Sequence, residues 1–185
     1  MLSAFIVAIL LLGCTSTPKV WEETPPLRVN YLAYPVDWNG RTIMIGARLQ
    51  VPVGMPGKLP AVILMHGTSG FSYRGVYYAA AGYLAALPAG PKRNDNLPDI
   101  AGAYRLLVTR PEIDASRIGL MGSSMGGIET RLMMPHRHSD ALLGPDAHMQ
   151  AAVAFYPVCW LFNHVPGADL ANFVDAPIRI FVGSG

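Results

Sequence analysis

Asp114-Ala115-Ser116-Arg117-Ile118-Gly119-Leu120-Met121-Gly122-Ser123-Ser124-Met125-Gly126-Gly127 is the stretch whose reading decides the fold. Arg117 to Met121 has the composition of a short buried strand, and Gly122 to Gly127 is a tight turn. Ile128-Glu129-Thr130-Arg131-Leu132-Met133-Met134 then reads as the helix that leaves it. A strand, a sharp turn and a helix in that order put Ser124 at the tip of a strained elbow. Gly122 and Gly126 flank it because a side chain at either place would collide with neighbouring chain. Such a turn pushes the serine Oγ outward and aims the helix N-terminus at it. Met125 is then placed to offer its backbone N–H, not its side chain, to an oxyanion. A glycine-rich turn without chemistry is the competing reading, and the strand before and helix after weigh against it.

A second stretch supports the first. Leu59-Pro60-Ala61-Val62-Ile63-Leu64-Met65 is a nearly all-apolar run of the kind that forms a central parallel strand, and it ends in His66-Gly67-Thr68-Ser69-Gly70. Ligands of open α/β sheets bind at the C-terminal edge of the strands, so this loop is the natural source of a second oxyanion amide. Thr68 N–H is the candidate donor and Gly67 the next. His66 reads as a residue that orders the loop through hydrogen bonds, in preference to a general base.

Val62-Ile63-Leu64-Met65-His66-Gly67, the Asp114–Gly127 stretch and Ala152-Val153-Ala154-Phe155-Tyr156-Pro157-Val158-Cys159 together resemble the dienelactone-hydrolase branch of the α/β-hydrolases in order and spacing. The resemblance runs from about Leu59 to the end of the chain. It implies an eight-stranded, mostly parallel sheet with helices on both faces, and hydrolysis of an ester or related acyl bond of a small molecule through a covalent acyl-enzyme, with no cofactor and no metal. Dienelactone hydrolases proper carry cysteine at the nucleophile position, whereas this chain has Ser124, a serine that many esterase-like relatives share, so the substrate of the family is not carried over. Gly82 to Asn94 is also shorter than the corresponding wall of the pocket in that family.

Hydrolases of this kind order their triad as serine, acid, histidine, with the acid usually after the strand that here reads Ile178-Arg179-Ile180-Phe181-Val182-Gly183. The acids present after Ser124 are Asp140, Asp146, Asp169 and Asp175, and the histidines are His136, His138, His148 and His164; none falls at a triad position. His136-Arg137-His138-Ser139-Asp140 reads as a solvated loop and not a metal site, because the two histidines lack the same-face spacing of a helix and no second ligand cluster accompanies them. The expectation is a hydrolase domain over 27–185 that lacks its last strand and covering helix, with acid and base beyond Gly185. Residues 1–185 alone are then expected to be inactive and poorly soluble. The alternative is a non-catalytic, lipid-anchored binding module, or an inactive fragment, that keeps only the elbow.

The N-terminus suggests an address. Leu2 to Leu12 is almost wholly apolar and short for a bilayer span, and it leads through Gly13 to Cys14 and then Thr15-Ser16-Thr17-Pro18. This resembles a bacterial lipoprotein signal over 1–14, lacking the usual basic residue before Phe5, followed by a tether over 15–26. Cys14 would carry the lipid, which would anchor an exported protein to the membrane of the cell envelope. Cys159, beside Trp160, Leu161 and Phe162, is then left for packing, and no disulfide is expected.

About half of the 185 residues are apolar (51%), the formal net charge is +2, and no run of like charge occurs, so nucleic acid is not an expected partner. Leu27–Trp38 and Thr42–Val51 read as strands around the hairpin dipeptide Asn39-Gly40. Gly75–Leu87 and Leu97–Thr109 read as helices, the second with Asn96 as N-cap and Pro98 and Asp99 in its first turn. Val51–Pro60 and Leu87–Pro91 are Pro- and Gly-rich and read as loops, while Ala151–Val158 and Ile178–Val182 read as further strands. Strands alternating with helices define an α/β protein with a mostly parallel sheet that opens in an antiparallel hairpin.

Overall fold

The computed structural model describes residues 26–67, 84–89, 96–157 and 171–183. Asn39 and Gly40 both adopt positive φ, 49° and 72°, the conformation a two-residue hairpin turn requires and the reason this dipeptide suits it. The turn joins β1 (Leu27–Trp38) to β2 (Arg41–Pro52) in antiparallel register, Trp38 opposite Arg41 and Leu27 opposite Pro52. Alternation then sends Tyr34 and Val36 of β1, and Ile45, Ala47, Leu49 and Val51 of β2, into the core.

Five further strands complete the sheet among the described residues: β3 (Leu59–Met65), β4 (Leu84–Ala89), β5 (Ile113–Ser123), β6 (Ala151–Phe155) and β7 (Ile178–Phe181). Their order is β1-β2-β4-β3-β5-β6-β7. β2 pairs antiparallel with β4, and every pairing from β4 to β7 is parallel. The expected α/β architecture, with its opening hairpin and mostly parallel sheet, is thus the observed one. β7 is the outer strand on its side and exposes Ile180 and Phe181, with Val182 exposed just after it, so among the described residues the sheet stops one strand short of eight.

Three helices are described: α1 (Leu97–Val108), α2 (Met125–Leu132) and α3 (His136–Leu143). α1 buries Ile100, Ala103 and Leu107, at the spacing of one helix face, in the same core cluster as Ile45, Ile63, Ile118 and Leu120 of the sheet. Gly102 lets α1 lie close against β1, where the Tyr34 hydroxyl donates to the Asp99 carbonyl at 3.0 Å. The α1 guanidinium of Arg105 reaches the Leu142 carbonyl on α3 at 3.0 Å.

Local expectations are corrected at two places. The helix expected over Gly75–Leu87, and the loop from Leu87, give way to strand β4 over Leu84–Ala89; residues 75–83 lie outside the described residues. Leu84-Ala85-Ala86-Leu87 favours helix by intrinsic propensity, but the slot between β2 and β3 offers backbone partners on both sides, and the pairing overrides the preference. His136–Asp140 is the start of α3, not a loop: Pro135 enters it in an extended conformation, Ser139 is buried, and the His136 ring meets Asp140 one turn on, at 3.2 Å. Asp114–Arg117 lies within β5 as an irregularity, where the register against β3 shifts between Leu59 and Ala61. Asn96 sits at the N-cap, its carbonyl accepting from the Asp99 and Ile100 amides at 3.0 and 3.3 Å, yet its side chain makes no cap.

Candidate active site

At the end of β5 the chain turns sharply at Ser124, with φ 55° and ψ −117°, and α2 begins at the next residue. A side-chain-bearing residue avoids this region, at a cost on the order of 1–3 kcal/mol, so neighbours must hold it there. They do so through the backbone. The Ser124 amide donates to the Phe155 carbonyl at the end of β6 (3.0 Å), and the Ser124 carbonyl accepts from the Ile128 amide in the first turn of α2 (3.1 Å). The Ser124 hydroxyl makes no capping hydrogen bond, so it is left free by the helix it opens.

The flanking glycines are required by close approach. A Cβ on Gly122 would run into the Gly126 carbonyl and stand 2.8 Å from Thr130 Oγ1. One on Gly126 would stand 2.5 Å from the Met65 carbonyl oxygen and 2.7 Å from that of His66. Thr130 Oγ1 donates to the Gly126 carbonyl at 2.7 Å, closing the first turn from within. The elbow is therefore wedged between the ends of β3 and β6, and the bare backbone is what fits.

The loop after β3 meets the same point. An added Cβ on Gly67 would lie 3.4 Å from Ser124 Cβ and 4.0 Å from Ser124 Oγ. Gly67 is thus brought to Ser124, and the Met125 amide stands in the first turn of α2, where backbone donors have no intrahelical acceptor. Thr68 and Cys14 lie outside the described residues. His66 Nδ1 donates to the Gly67 carbonyl at 2.8 Å, since a carbonyl only accepts. That bond pins the loop on which Gly67 approaches the serine.

Other sequence candidates are drawn elsewhere. His136 is taken by Asp140 and the His138 ring by the Leu132 carbonyl, both on or beside α3. Asp114 belongs to the opposite end of β5. Its carboxylate accepts from the Ser116 hydroxyl at 2.6 Å, from Arg117 Nε at 2.6 Å and from the Ser116 amide at 3.0 Å, and these bonds hold its pKa down at about 2.

Two residues near the elbow were not singled out in the sequence. Glu129, on α2, is buried to 5% exposure, and Asn96 Nδ2 donates to its Oε1 at 2.5 Å, tying the start of α1 to the elbow helix. A glutamate within an apolar helical face was the available signal. Tyr156, directly after β6, has φ 36°, a conformation no residue pattern announces.

No protein-family model and no curated protein matches the chain. Solved structures do. The chain is similar to the esterase Est22 (23% identity, TM-score 0.54, covering 71% of this chain and 44% of that one). It is similar also to a hyperthermophilic esterase from the archaeon Pyrobaculum calidifontis (20% identity, TM-score 0.56, 72% and 45%). A bacterial heroin esterase shows the same likeness (17% identity, TM-score 0.57, 71% and 44%). The chain spans less than half the length of each of these proteins, and at such identities the likeness is one of fold. By its strand order, its strained elbow and these likenesses, the chain has the α/β-hydrolase fold.

Proposed function

We propose that this chain carries the nucleophile half of an exported serine hydrolase that cleaves an ester or related acyl bond of a small molecule. The observation that carries the reading is Ser124 held at φ 55° between β5 and α2, with Gly67 packed against it. Ser124 Oγ attacks the substrate carbonyl carbon. The oxygen that becomes negative accepts from the Met125 amide and from an amide of the loop after β3, Thr68 or Gly67. Collapse of that intermediate expels the alcohol and leaves an acyl-Ser124 ester, which water then hydrolyses. Losing one oxyanion donor costs such enzymes about 3–4 kcal/mol of transition-state stabilisation, which is why the elbow geometry matters more than the Met125 side chain.

A base must take the Ser124 proton. His66 is occupied in ordering its loop, and the α3 histidines have their own partners. In this proposal a carboxylate and a histidine beyond Gly185 complete the relay, a reading supported by the greater length of the similar esterases. Cys14 is the proposed lipid anchor that holds the protein at the bacterial cell envelope, a reading supported by the apolar run that precedes it. Radiolabelled palmitate should enter the wild-type protein and not Cys14→Ser.

Reaction with a fluorophosphonate probe tests the centre of the proposal. The protein recovered from its native host should become labelled at Ser124 and hydrolyse a simple aryl acetate, and Ser124→Ala should lose both. A folded protein that labels no faster than free serine would instead make the chain a binding module that retains an elbow.

A further inference from the structure

The helix that carries the Met125 amide is poorly fixed by its own residues. α2 is eight residues long, and Gly126 and Gly127 occupy its first turn, where the Met65 and Phe155 carbonyls leave no room for a side chain. Glycine gives a helix little conformational preference, so the turn that faces the oxyanion is the softest part of α2. Backbone lying on backbone sets how near α2 comes to the sheet, but contact alone does not set its rotation about its own axis. A directional bond does.

Glu129 supplies one. It follows Met125 by one helical turn, on the same side of α2, and its Oε1 accepts from Asn96 Nδ2 at 2.5 Å. Local stability favours neither partner in this role. Glu129 buries a carboxylate where an apolar side chain of like size would carry no desolvation cost. Asn96 stands at the N-cap of α1, where an asparagine ordinarily turns its side chain onto the helix's own amides, and this one makes no such cap. Two departures from local preference thus meet in one contact beside the strained elbow, as they do where a fold serves a site. Asn96 is also a firm anchor. Its carbonyl accepts from the Asp99 and Ile100 amides, and α1 is buried along Ile100, Ala103 and Leu107. The bond ties a soft helix to a well-packed one.

We infer that Glu129 is a positioning residue of the Ser124 site: bonded to Asn96, it fixes the rotation of α2 and so the direction in which the Met125 amide points. This rests on the proposal that Ser124 is the nucleophile and Met125 an oxyanion donor, and it adds the residue that aims the donor. A misaimed amide weakens the transition state and leaves the substrate complex as it was, so the effect belongs in kcat and not in KM.

The test reads the aim of the amide apart from the chemistry. The isotope-labelled protein from its native host is compared with Glu129→Leu, which fills the space without an acceptor, with Glu129→Gln, which keeps an acceptor oxygen without the charge, and with Asn96→Ala, which takes no capping bond from α1. The residual dipolar coupling of the Met125 N–H, referenced to those of β3 and β5, reports its direction. It should change in Glu129→Leu and Asn96→Ala and stay at the wild-type value in Glu129→Gln. On phenyl acetate, kcat should fall roughly tenfold in the first two with KM unchanged, the losses should not add in the double variant, and Glu129→Gln should restore most of kcat. An unchanged coupling, or a lower Tm with wild-type kcat, overturns the inference and leaves the pair structural. Glu129→Gln as slow as Glu129→Leu assigns the effect to charge and overturns it too. Should Glu129→Leu fail to fold, Asn96→Ala, at a half-buried position, decides. A changed coupling in a protein that never labels at Ser124 upholds the setting of α2 by Glu129 and removes the hydrolase reading instead.

Discussion

The carbonyl oxygen of Met65 lies 2.5 Å from where a Cβ on Gly126 would stand, so the first turn of α2 is laid directly on the end of β3. That contact joins the two places where chemistry was expected, the serine elbow and the loop after β3. The obstructing atoms are backbone, which cannot swing aside as a side chain can. The separation of Ser124 from Gly67 therefore depends on the absence of a single methyl group.

Gly126→Ala should accordingly push α2 away from β3. The expected loss is about 3 kcal/mol of stability, at the upper end for overpacking because no flexible side chain yields. Fluorophosphonate labelling at Ser124 should fall at the same time, since the Met125 amide moves with the helix. Thermal denaturation alongside labelling checks both, and a variant with wild-type Tm and wild-type labelling would refute the wedge.

Gly102 makes a comparable, softer contact. A Cβ there would stand 2.7 Å from both Tyr34 Cε2 and Val36 Cγ2, in the seam between α1 and β1. Alanine favours a helix interior by about 1 kcal/mol over glycine, and overpacking costs about 1–3 kcal/mol, so Gly102→Ala should be a net loss of at most about 2 kcal/mol. Tyr34→Phe should cost about 1 kcal/mol through the lost bond to the Asp99 carbonyl. Urea denaturation of the two variants, read for the shift in midpoint, decides this.

Asp114 predicts an acid limb to stability. The Ser116 hydroxyl, Arg117 and the Ser116 amide lower its pKa to about 2, below the usual carboxylate value near 3.8. A depressed folded pKa means that the folded state holds the proton less tightly than the unfolded chain. The contribution is present above about pH 4 and is lost as pH falls towards 2. Asp114→Asn should flatten the decline of Tm over that window, and the wild-type Asp114 carboxyl should titrate near 2 by NMR. The group is exposed, so the effect should shrink in high salt.

The elbow, the central strand β3 and the opening hairpin were legible in the residues because each rests on local chemistry. Asn39-Gly40 accepts the positive φ of its turn, Gly122 and Gly126 accept the crowding, and the apolar run Leu59–Met65 has few other destinations. β4 was not legible, since Leu84-Ala85-Ala86-Leu87 favours helix until β2 and β3 stand on either side of it. α3 was not, since its histidines suggested a solvated loop and only the burial of Ser139 and the His136–Asp140 pair show why it coils. Asn96 was recognised as a helix start, but its amide serves Glu129, 33 residues away in sequence, in place of its own helix.

The order of apolar runs, turns and glycines by itself determined that the chain is α/β and that Ser124 sits at a strand-to-helix turn, because backbone conformation and steric bulk are properties of the residues in the turn. Only the tertiary structure decided the strand order β1-β2-β4-β3-β5-β6-β7, the approach of Gly67 to Ser124 and the positive φ of Tyr156. Those depend on which distant backbone groups are left to pair with one another once the core has closed, and no local pattern encodes that.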